Sequence, residues 1–141
     1  MLIGFASCEK DDICIFNPLT PKLVIGFYDQ DNPETLKTVE SLSIWVEGKE
    51  RIYENASLSS IELPLNSFDT QTVYQLSKGT SIISTLTINY TPQEDYVSRS
   101  CGYRFIYNDL TLGSDASWIS ALNPTNLTVI NSQTEHVQIF H

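Results

Sequence analysis

The sequence predicts an all-β protein: an antiparallel β-sandwich, immunoglobulin-like in arrangement, with eight or nine short strands and one short helix. Three observations predict it. Apolar residues alternate with polar ones over most of the chain, the period that puts every second side chain on one face of a sheet. Turn residues punctuate these runs at short intervals. Ser, Thr and Asn are abundant whereas Ala is scarce and Met occurs once, a bias toward strands and turns.

The elements follow in order. "KLVIGFYD" (22–29) is apolar on both faces around Gly26, which suits a central strand covered on both sides. "SLSIWVEG" (41–48) alternates, with Leu42, Ile44 and Val46 inward and Ser43, Trp45 and Glu47 outward. "SIELPL" (60–65) turns Ile61, Leu63 and Leu65 inward, and Pro64 marks a strand edge or end. "TVYQLSKG" (72–79) and "SIISTLTINYT" (81–91) read as a hairpin joined through Lys78-Gly79, with Ile82, Leu86, Ile88 and Tyr90 on one face. "YVSRSCGYRFIY" (96–107) places Val97, Cys101, Tyr103, Phe105 and Tyr107 on one side, with a bulge or bend at Gly102. "GSDASWISALNP" (113–124) carries the helical signal: a cap at Ser114 or Asp115, an apolar stripe of Trp118, Ile119 and Leu122, and a stop at Asn123-Pro124. "NLTVIN" (126–131) and "HVQIF" (136–140) supply the last strands.

A chain of 141 residues supports one domain with its own core. The net charge of −9, with no cluster of Lys or Arg, argues against nucleic acid, because phosphate binding needs a positive footprint. No run approaches the ~20 apolar residues of a membrane span.

The N-terminus is more informative. Met1-Leu2-Ile3-Gly4-Phe5-Ala6-Ser7 is apolar and ends in two small side chains before Cys8, the requirement of a signal-peptidase cleft. The pattern resembles the lipobox of bacterial lipoproteins, in which the cysteine thiol is acylated, although Phe5 replaces the usual Leu and a basic segment is missing. Glu9, Lys10, Asp11 and Asp12 then resemble the surface-export signal of Bacteroidetes lipoproteins. On this basis residues 1–7 are a remnant of a signal peptide, 8–13 an acidic tether and 14–141 a single sandwich domain. The competing interpretation is a solvated charged tail on a cytosolic protein with reduced thiols. In an exported chain Cys14 and Cys101 remain as an even number, and a disulfide is their expected state; two buried free thiols are the alternative. No CxxC and no zinc-ligand spacing accompanies them.

"DDIC" (11–14), "TPKLVIGFYD" (20–29) and "SRSCG" (98–102) together resemble a family of uncharacterised Bacteroidetes lipoproteins, a domain of unknown function. The resemblance covers nearly the whole chain. It implies Cys8 as the lipid attachment site and Cys14 with Cys101 as a disulfide, and it brings no activity. Gly26 stands where relatives often carry a larger, sometimes basic residue.

Other candidate sites are weaker. Asp29, Asp31, Asn32 and Glu34 gather oxygen ligands of the kind calcium takes, but Pro33 and Glu34 break the EF-hand pattern, and a solvated turn started by Asn32-Pro33 is the preferred explanation, so no metal is expected. His136 and His141 have no nucleophile motif nearby, and alternation places His136 outward from Val137 and Ile139. Trp45, outward on a cleanly alternating strand, is a candidate glycan platform; packing under the 113–124 segment or against the second sheet is its bland alternative. Arg99 and Arg104 are expected to pair with local carboxylates.

The expected function is a lipid-anchored outer-membrane surface lipoprotein, a non-enzymatic binding or accessory module for a protein or glycan. It would need no cofactor and touch the membrane only through its anchor. The alternatives are an extracellular hydrolase acting on carbohydrate or peptide, and a cytosolic β-domain.

Overall fold

The computed structural model describes residues 20–79, 82–115 and 117–141. Among them lie nine strands and no helix: β1 (Leu23–Tyr28), β2 (Val39–Trp45), β3 (Arg51–Leu58), β4 (Ser60–Leu63), β5 (Gln71–Lys78), β6 (Ile82–Ser98), β7 (Gly102–Ser114), β8 (Ala121–Pro124) and β9 (Val137–Phe140). They form a four-stranded sheet in the order β4-β1-β9-β8 and a five-stranded sheet in the order β3-β2-β5-β6-β7. Every neighbour pairing is antiparallel except β1 with β9. The chain is thus the expected sandwich, with one parallel pair at its centre.

Alternation builds the core. Leu23, Ile25 and Phe27 of β1, Ile61 and Leu63 of β4, and Val137 and Ile139 of β9 meet Leu42, Ile44, Leu76, Leu86 and Ile88 of the other sheet, all buried. β1 is central, as its two-sided apolar character requires, and β4 is the edge that Pro64 demands. β5 and β6 pair from Gln71↔Asn89 to Lys78↔Ile82 as the predicted hairpin, with Gly79 at φ 80° in its turn. Ile82, on the inward parity, lies past the edge of the core and is exposed.

Three expectations are corrected. The helix over 113–124 does not form. Gly113 and Ser114 finish β7, and Ala121–Pro124 is β8, whose backbone pairs with β9 from Ala121↔Phe140 to Pro124↔Val137. The stripe of Trp118, Ile119 and Leu122 still packs inward, so the burial was read correctly and the backbone was not. The segment 96–107 is not one strand but the end of β6, a turn and the start of β7, with Gly102 at φ 73°. The segment 126–131 contributes only a bridge between Val129 and Tyr107. β3 went unpredicted: register shifts against β2 interrupt its alternation, and Tyr53 and Leu58 are its side chains that pack against the core.

Candidate functional site

Trp45 ends β2 on the face opposite Leu42 and Ile44 and is partly exposed. A turn closed by Lys49 N–H donating to the Val46 carbonyl (2.9 Å), with Gly48 at φ 81°, returns the chain as β3 and sets Arg51 opposite Trp45. The Arg51 guanidinium lies 4.9 Å from the indole centroid, a cation–π contact. Irregular register between β2 and β3 shapes the surface beside this pair. Ser41 (φ 54°) and Asn55 (φ 48°) take left-handed backbone, and Asn55 N–H donates to Ser43 Oγ at 3.0 Å. Alternation holds through 42–45: Leu42 and Ile44 face the core, whereas Ser43 lies on the outer face beside Trp45 and is covered there.

The result is an open depression of about 400 Å³ on the outer face of the five-stranded sheet, bordered by Trp45, Arg51, Ser41, Glu54, Asn55 and Ser77. Its chemistry is an indole, a guanidinium, a carboxylate, an amide and hydroxyls. Such a set binds polar, hydroxyl-bearing molecules by stacking and hydrogen bonding. The bland placement expected for Trp45 falls to Trp118 instead. Trp118 packs 6.1 Å from Phe27 and 5.7 Å from His141 by ring centroids, and its indole N–H donates to the Leu76 carbonyl at 3.0 Å. Arg51 and Asn55 were missed as site residues. Gly48 signals the turn at 46–49, but counting back from it sets Glu50 opposite Trp45, and only the register shift in β3 brings Arg51 there.

The acidic loop after β1 closes on itself. Asp29 Oδ1 accepts the Asp31 N–H at 2.9 Å, and Asn32 N–H donates to the Asp29 carbonyl at 3.2 Å. Asp29, Asp31 and Glu34 do not converge, and among the described residues no three acids, histidines or cysteines could hold a metal ion.

Both histidines are buried, which corrects the outward placement of His136. His136 stands just before β9. Its N–H donates to the Val24 carbonyl (2.9 Å) and its Nδ1 accepts the Val24 N–H (2.9 Å), so the ring folds onto β1 rather than following the alternation of β9. Burial lowers its pKa, with an opposing contribution from the Asn131 backbone. His141 sits edge-on to Phe27 and Trp118, with Nε2 3.1 Å from the Lys37 carbonyl. Burial lowers its pKa as well, opposed by that backbone contact and reinforced by the charges of Lys78 and Lys37.

Three tyrosines that could pass for a polar site are structural. Tyr74 donates to the Pro64 carbonyl, Tyr107 to Leu65 (3.1 Å) and Tyr90 to Asn66 (2.7 Å), one from each of three adjacent strands. Burial raises the pKa of all three.

Arg104 pairs with Asp95 across the β6–β7 ribbon at 2.9 Å, as expected of it. Cys101 lies in the ribbon's turn, with its N–H donating to Ser98 Oγ at 3.0 Å. Cys8, Glu9, Lys10, Asp11, Asp12 and Cys14 lie outside the described residues, as do the proposed leader and tether.

Residues 41–141 match one family model, a family of unknown function, DUF6452. Neither a curated protein nor a solved structure matches the chain.

Proposed function

The chain belongs to the family of unknown function DUF6452, and from its own residues we propose that it is a lipid-anchored surface module that binds glycan without catalysis. The Trp45–Arg51 depression carries this proposal. A ring beside a guanidinium and neutral hydrogen-bonding groups suits a sugar, whose C–H face packs on the indole while its hydroxyls meet Asn55, Glu54 and the guanidinium.

The anchor belongs to the same proposal. Cys8, preceded by Ala6-Ser7 and followed by Glu9-Lys10-Asp11-Asp12, would be acylated and would hold the domain on the outside of the outer membrane. A disulfide between Cys14 and Cys101 is part of the same proposal, since an exported domain meets an oxidising compartment in which that pair would form.

Two measurements test this. Protein from its native host should carry acyl mass on Cys8, and protease shaving of intact cells should release its peptides; an unmodified Cys8 removes the anchor. A glycan array followed by calorimetry should find a ligand whose Kd rises at least tenfold in Trp45→Ala. Unchanged binding in that variant would exclude the depression as the site.

A further inference from the structure

The β6–β7 ribbon is a part of the fold that the glycan site does not use. β5 stops pairing with β6 at Gln71↔Asn89, whereas β6 and β7 continue together from Thr91↔Asn108 to Ser98↔Gly102. Beyond Tyr107, which Val129 still bridges, the pair runs on as a two-stranded ribbon. Near its tip Tyr96 and Tyr103 stand directly opposite each other, 57% and 67% exposed, with ring centroids 5.2 Å apart.

We propose that this ribbon is the membrane-facing end of the domain and seats the Tyr96–Tyr103 pair in the headgroup interface of the bilayer. The proposal rests on the acyl anchor at Cys8 and the Cys14–Cys101 disulfide. Five residues separate Cys8 from Cys14, and the six steps between their α-carbons span at most about 22 Å when fully extended. The disulfide adds only about 6 Å between α-carbons. The ribbon tip is thereby held close to the lipid, while the other end of the 17-residue β6 lies roughly 50 Å away along the strand.

Side-chain chemistry agrees with that orientation. Tyrosine has an apolar ring and a polar tip, the combination enriched at lipid–water boundaries. In a chain of net charge −9, residues 96–103 contain Arg99 and no acid, and Arg99 is exposed. The nearest preceding acid, Asp95, is neutralised by Arg104. Arg99 thus offers one cation to headgroup phosphates, beside Lys10 and the three carboxylates that the tether would bring to the same end. The Trp45 depression, lined also by Gly79 and Ile83, lies toward the opposite end of the sheet and faces away from the lipid.

The test uses the full chain with Cys8 coupled to a maleimide phospholipid in phosphatidylcholine vesicles containing brominated acyl chains. Tryptophan is introduced by Tyr103→Trp, by Tyr96→Trp as a second reporter, and by Ile82→Trp as the far-end control. After subtraction of the wild-type signal, bromolipid should quench the added fluorescence at 103 and 96 at least twofold and leave that at 82 unchanged. Equal signals at the two ends overturn the docking, whatever becomes of the anchor. An unmodified Cys8 in native protein overturns the anchor and the docking together.

Discussion

Gly26 shows how a single side-chain absence is built into the sheet. A Cβ there would stand 2.2 Å from Glu135 Oε2 and 2.8 Å from Tyr28 Cε2, because the Tyr28 phenol donates to the Glu135 carboxylate (2.8 and 3.0 Å) directly over this glycine. Gly26→Ala should therefore displace Glu135 and lower stability by about 1 kcal/mol in chemical denaturation, the scale of one lost hydrogen bond. Combining it with Glu135→Ala should make the glycine substitution neutral; a cost that persists would place the strain elsewhere. His136 makes the opposite kind of demand, for a neutral ring. Its Nδ1 accepts a backbone N–H, so protonation there would break a bond to the central strand. Its folded pKa and that of His141 are depressed, hence the unfolded chain binds more protons below about pH 6.5. Stability should be fully present above pH 6.5 and decline as pH falls through the folded values. Urea titrations at pH 7.5, 6.5 and 5.5 check this, and His136→Asn should flatten the decline.

At the scale of elements, the passage from β4 to β5 is the most heavily secured. Here the chain leaves one sheet for the other, and the carbonyls of Pro64, Leu65 and Asn66 each accept a tyrosine hydroxyl from β5, β7 and β6. Tyr107, fully buried, also meets Ser67 Oγ at 2.8 Å. Tyr107→Phe keeps the packing and strands the Leu65 carbonyl, so it should cost about 1–3 kcal/mol. Hydrogen exchange should quicken first around 64–70. A wild-type denaturation midpoint would show that water replaces the hydroxyl freely. The β8 segment teaches a different lesson. Trp118, Ile119 and Leu122 have helical spacing, but Ser120 N–H donates to the Phe140 carbonyl at 2.7 Å and Ala121–Pro124 pairs with β9. An available sheet edge satisfied the backbone at lower cost than a helix with a weak cap.

For the whole molecule, the proposed Cys14–Cys101 disulfide would join the tether to the ribbon over a loop of 87 residues. Cys101→Ser should then lower stability by about 2–4 kcal/mol, and the ribbon 91–108 should lose exchange protection before the β5–β6 pairing does. Uniform loss would mean that the ribbon is held without the cysteine. What the sequence determined by itself was the sheet architecture and its inward faces. Leu23, Ile25, Phe27, Ile61, Leu63, Leu86 and Ile88 are buried as their alternation requires, because a period of two fixes the side-chain face whatever the partner strand. It also pointed to Trp45 as outward. Tertiary structure alone decided which strands pair beyond the β5–β6 hairpin, why the helical stripe became β8, and why His136 turned inward. It alone joined Arg51 and Asn55 to Trp45, through an edge strand whose register shifts interrupt the periodic signal. The physical reason is common to all of these: periodicity encodes the local face of a strand, whereas pairing, bulges and edge satisfaction depend on backbone groups that come from distant parts of the chain.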